Sequence, residues 1–171
     1  MLLKLVGSLI VLVACSLLGY SHANTYAKRP GELKVLQSLL QIFENEISFL
    51  SNVLEDAFLK VHKCTDKSVG VFFEATVRNL NDGLCASEAW TKAIKENINK
   101  TNLNSEDENI IISFGNMLGS SDLEGQIKNI HLTVSQLKIQ EQKAEELKVK
   151  NESMYKNLGV LGGLAIIILL F

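Results

Sequence analysis

Residues 158–171 read LGVLGGLAIIILLF, apolar throughout. Counted back to Met154, the run reaches about 27–30 Å at about 1.5 Å per residue, enough to cross the hydrocarbon of a bilayer. A second apolar run, Met1 to Tyr20, opens the chain. The sequence therefore predicts one intervening domain held between two membrane helices, bounded as 1–23, 24–153 and 154–171.

The first run has rival readings, all carried by LVACSLLGYSHAN, residues 12–24. Leu12-Val13-Ala14-Cys15 has the form of a lipobox, and Ser21-His22-Ala23 that of a signal-peptidase site. A lipoprotein cysteine normally ends its apolar stretch, whereas Ser16 to Tyr20 continues this one. A signal peptide's apolar region spans about 7–15 residues, shorter than Met1–Tyr20. An uncut span is the better reading, with cleavage left open.

Charge then sets the orientation. Lys28, Arg29 and Lys34 follow the first run, and Lys148, Lys150 and Lys156 precede the second. Only Lys4 and the amino terminus lie on the other side. The positive-inside rule puts the domain in the cytoplasm. Cys64 and Cys85, with no CxxC or Cys/His spacing, read as reduced thiols rather than zinc ligands, in keeping with a reducing compartment. The net charge of −2 and pI near 5.9 argue against nucleic-acid binding.

Between the runs, Pro30 is the only proline and no segment alternates, so the domain reads as all-helical. Pro30 suits a helix's first turn. Leu33, Leu36, Leu40, Phe43, Ile47, Leu50 and Leu54 then form one apolar seam, widened by Leu39 and Ile42, which predicts packing into a bundle. A break is expected at Ser51-Asn52, with Asn52 and Glu55 as a capping box. The next helix buries Ala57, Phe58 and Val61. A third buries Val69, Phe72, Phe73, Thr76 and Leu80 and stops at Gly83. Ser87 is expected to start a fourth, with Trp90, Ala93 and Ile94 inward, Trp90 as core rather than a ligand platform. Asn104 or Ser105 caps a fifth helix whose Glu106, Asp107 and Glu108 complement its dipole and which ends at Gly119. Ser121 to Glu124 forms a further capping box. The helix it launches carries a seam of Leu123, Ile127, Ile130, Val134, Leu137 and Ala144. With no proline or glycine between Gly125 and Gly159, it is expected to run on into the second apolar span.

No nucleophile–base pair, phosphate loop or metal-ligand set is visible. His22, His62 and His131 are isolated from one another in sequence, and an enzyme is not expected. No cofactor is expected either. Glu44 and Glu46, at i and i+2, do not face each other on a helix and so cannot chelate alone. Glu44, Glu46, Asp122, Glu124 and Gln126 are instead candidate partner-docking residues, against the plainer reading of solvated helix faces.

RPGELKVLQSLLQIFENEI, SEAW, LGSSDLEGQIKNIHL and MYKNLGVLGGLAIIILLF resemble the stage III sporulation protein AB family of endospore-forming bacteria. The resemblance covers essentially the whole chain. Its most specific parts are Leu118 to Gln126 and Met154 to Gly163. That family is similar in turn to the cytoplasmic helical domain of type II secretion protein F. The resemblance implies an antiparallel bundle of about six helices anchored in the mother-cell membrane around the forespore. It also implies a scaffold role in a channel-like complex that includes a secretion-type ATPase, without fixing whether the chain self-associates. One departure is that Val53 and Glu55 stand where such proteins often carry prolines. A second class, a sensor or lipoprotein with its bundle outside the cell, would need the opposite orientation. A sensor would also need an output domain beyond the second span, and none is expected after Phe171.

Overall fold

The computed structural model describes residues 2–50, 54–65, 68–119 and 122–170. Six α-helices follow one another among these residues, with no strand: α1 Leu2–Leu50, α2 Leu54–Lys63, α3 Gly70–Asn81, α4 Ala86–Asn97, α5 Ser105–Gly115 and α6 Leu123–Leu170. A single 3-10 turn, Ile98–Lys100, follows α4. The chain divides into two compact units, Arg29–Gln142 and the paired termini Met1–Lys28 with Lys143–Phe171. Among the described residues, no helix is long and apolar enough to cross a membrane.

Within Arg29–Gln142 the heptad seams account for the bundle. Leu33, Leu36, Leu39, Leu40, Phe43 and Ile47 of α1 are all buried. Cross-links from Gln37 to Glu141 and from Glu44 to His131 show that α6 runs antiparallel to α1. At the centre, each of the first five helices contributes one aromatic ring: Phe43, Phe58, Phe73, Trp90 and Phe114. Phe43 and Phe58 sit 4.6 Å apart between centroids. Trp90 meets Phe73 and Phe114 edge-on at 5.2 and 5.3 Å, the geometry that places a ring's positive edge on its neighbour's negative face. The Trp90 indole N–H, buried among these rings, donates to the Ile111 carbonyl at 2.7 Å. The core reading of Trp90 holds.

The helix ends differ in part from expectation. Pro30 is not at a first turn: α1 continues N-terminal to it, so the ring lies inside the helix and the bond its N–H would give to the Tyr26 carbonyl is missing. Gly83 does end α3. At φ +89° it takes the left-handed position, and its N–H and that of Leu84 return to Leu80 and Asn79, the two bonds of a Schellman turn. α4 begins at Ala86, one residue before Ser87, after an extended Cys85 that gives no side-chain cap. α5 stops at Gly115, with Gly119 at φ +74° closing the turn beyond it. Leu123, expected in the α6 seam and in heptad register with the buried Ile130, Leu137 and Ala144, is 44% exposed as the first residue of the helix. The Asn52 cap and the Ser121 end of the last capping box lie outside the described residues. There Asp122 accepts from the Gly125 N–H at 2.9 Å and serves as the cap.

Candidate functional site

The five candidate docking residues do not gather into one cluster of spare charge. Glu44 faces α6, where its Oε1 lies 2.8 Å from His131 Nε2. Glu46 faces α2 and accepts from Lys60 Nζ at 2.7 Å. Two positions along the helix have sent them to different neighbours, as the roughly 200° between i and i+2 requires. Asp122 is engaged as a helix cap, Glu124 is exposed, and Gln126 is half-buried. Among the described residues, no group of three or more His, Cys, Asp or Glu side chains is placed to hold a metal ion.

The strongest polar construction lies elsewhere, and sequence reasoning missed it. Arg29 grips Asp107 with both arms, Nε to Oδ2 at 2.8 Å and Nη2 to Oδ1 at 2.9 Å. Nη2 also reaches Gln140 Oε1 at 3.3 Å. Asp107 is fully buried, and Arg29 and Gln140 nearly so. Asp107 has a second duty as the third residue of α5. Its Oδ2 accepts from the Asn104 N–H, while Asn104 Oδ1 accepts from the Asp107 N–H, which completes a capping box. One carboxylate thus caps α5 and binds the first residue of the Arg29–Gln142 unit, whose guanidinium also holds a residue close to that unit's last. A planar guanidinium and a carboxylate match in this two-point geometry, which fixes orientation as well as distance. In the sequence Arg29 shows only as a topological charge and Asp107 only as a complement to the dipole. The one available signal was a capping-box acid at helix position three, which does not reveal a partner 78 residues away.

Glu32 makes a smaller clamp one turn further along α1. It accepts from Ser68 Oγ at 2.7 Å and from the Asn102 side chain and backbone N–H at 2.8 and 2.6 Å. Lys34 and Gln37 both reach Glu141. These groups join helices to loops and to each other.

Fold and latch together define a helical-bundle domain, with residues near its two ends tied to one internal helix. Residues 4–171 match the family model for stage III sporulation protein AB. The chain is 33% identical over 170 residues to stage III sporulation protein AB of Bacillus subtilis (strain 168), covering 99% of each. A solved structure of a stage III sporulation protein AB aligns with a TM-score of 0.68 at 27% identity, over 72% of this chain and 98% of that one. The chain belongs to the stage III sporulation protein AB family, and so to the machinery of sporulation.

Proposed function

We propose that the chain is a non-enzymatic scaffold of the stage III sporulation complex, anchored in the mother-cell membrane around the forespore with its bundle facing the cytoplasm. On this reading the two terminal apolar runs cross the membrane, and the bundle docks a secretion-type ATPase and other members of the complex. The observation that carries it is the Arg29–Asp107–Gln140 latch. Arg29 opens the Arg29–Gln142 unit and Gln140 stands near its close, so both ends of the unit are held at one buried point. A domain tethered by two membrane segments needs its ends together, and a buried charge pair serves better for specifying such an arrangement than for adding stability. The basic residues on both flanks support the cytoplasmic orientation.

Isolation of the tagged full chain from sporulating cells in mild detergent tests the docking role. The secretion-type ATPase and other stage III proteins are expected in the isolate. Recovery of the chain without the ATPase overturns that part of the reading.

A further inference from the structure

We infer that α1 passes from one unit to the other through a hinge, residues 26–31, whereas α6 passes as a stiff rod. The boundary between the units falls at Lys28–Arg29 in α1 and at Gln142–Lys143 in α6. Each N–H of an α-helix reaches the carbonyl four residues back, so the bonds spanning Lys28–Arg29 come from residues 29–32. Pro30 is one of those donors and has no N–H to give. Its ring also crowds the Tyr26 carbonyl, which makes this turn the weak point of the helix.

Gly31 adds to that weakness without a steric need for glycine. Its φ is not positive, unlike those of Gly83 and Gly119, and a Cβ on it would meet nothing within 4 Å. What glycine brings there is backbone freedom, at a cost in helix stability. From Glu32 onward α1 is fixed: Ser68 and Asn102 clamp Glu32, and Leu33 and Leu36 are fully buried. Arg29 is tied to Asp107 and Gln140 only through the end of its long side chain. That tether leaves its backbone room to turn and limits how far. The α6 passage is built differently. QLKIQEQKAEELKVK, residues 136–150, holds neither proline nor glycine and is rich in strong helix formers. Hinges are a few residues that absorb backbone rotation between stiffer bodies. The first half of α1 can therefore change its tilt while the bundle and α6 keep theirs. This property belongs to the chain alone and does not depend on which partner the bundle docks.

Pairs of spin labels on the full-length chain in lipid nanodiscs test the hinge, with Cys15, Cys64 and Cys85 replaced. One pair, at Ala14 and Ser38, spans the α1 passage, and the other, at Gln136 and Leu161, spans that of α6. All four positions are exposed. In straight helices the pairs stand about 36 and about 38 Å apart at about 1.5 Å per residue, a range that double electron–electron resonance reads. The α1 distance distribution is expected to be the broader of the two. Gly31→Ala narrows it in part and does not lower the bundle's melt, because the added methyl touches nothing. Pro30 is buried, so Gly31→Ala is the variant that leaves packing intact. Adding Pro30→Ala restores the missing bond and removes the remaining excess width, while the α6 distribution stays unchanged. Equal widths for the two pairs overturn the inference, and so does an excess that survives both substitutions. A narrow α1 distribution centred short of a straight helix, the mark of a fixed kink, overturns it as well.

Discussion

At the scale of single residues, the latch and the aromatic hub respond differently to substitution. Asp107 is fully buried and its charge is met by Arg29. Arg29→Met leaves that carboxylate in the interior with no counter-charge, and the expected loss is about 3–5 kcal/mol in urea denaturation of residues 29–142. Arg29→Met with Asp107→Leu removes both charges and recovers most of the loss, because desolvation had already offset much of the pair's attraction. A double variant as unstable as the single one would mean that the geometry, not the unpaired charge, is what matters. The hub responds to volume. Trp90 packs onto Gly115 so closely that a Cβ there runs into the indole ring. Gly115→Ala is therefore expected to destabilise by about 1–3 kcal/mol despite alanine's better helix propensity. Leu40→Ala and Trp90→Ala each lower stability by about 2–5 kcal/mol as core positions are emptied, with thermal melts as the check. Unchanged melts would place these side chains outside the core.

At the scale of elements, the cap of α5 joins local and distant structure. Asn104→Ala removes the acceptor for the Asp107 N–H, and an N-cap of this kind is worth about 0.5–2 kcal/mol. The loss is expected near the upper end, since Asp107 must stay aligned for Arg29 as well. Amide exchange should rise in the opening turn of α5 and also around Arg29, and a rise confined to that opening turn would show that the cap acts alone. The same helix shows what the sequence could reveal. Its cap, its acidic first turn and its neighbours' seams are local patterns, so the six helices, the inward Trp90 and the Gly83 stop were legible. Phe114 was not, because IIISFG gives no period strong enough to choose one inward face. The latch stayed hidden for a different reason. Arg29, Asp107 and Gln140 lie on three helices, and nothing in local spacing pairs a basic flank with an acid in a distant cap. Pro30 misled because proline signals a first turn only where a helix begins, and α1 had already begun. The docking carboxylates were identified by charge, which does not show that Glu44 and Glu46 already have partners within the bundle.

At the scale of the whole molecule, the proposed anchoring makes two claims that can be separated. The first is sidedness. Cys64 and Cys85 are both exposed, so a topology assay needs them replaced by serine and Cys15 by alanine before single cysteines are placed at Lys34 and Lys150. Both are expected to resist an impermeant maleimide in protoplasts and to label after lysis, whereas prompt labelling would put the bundle outside. The second claim is mechanical. α6 is one helix from Leu123 to Leu170, and its buried positions end at Ala144 among the described side chains. Beyond lie exposed Glu146, Leu147, Val149 and Lys150, with Val149 77% exposed, and a surface pair of Lys148 and Glu145 at 3.6 Å. Such a pair adds little stability, so helix continuity is the main constraint through this stretch. Each residue inserted between Glu145 and Lys156 rotates the C-terminal part of the helix by about 100° against its N-terminal part. One inserted alanine is therefore expected to impair sporulation. Seven, close to two full turns, restore it in part, and the bundle's melt is unchanged in both. Equal spore yield with one, four and seven alanines would mean that the stretch is a passive tether. Docking would then depend on the bundle's surface alone, without a fixed bearing on the membrane.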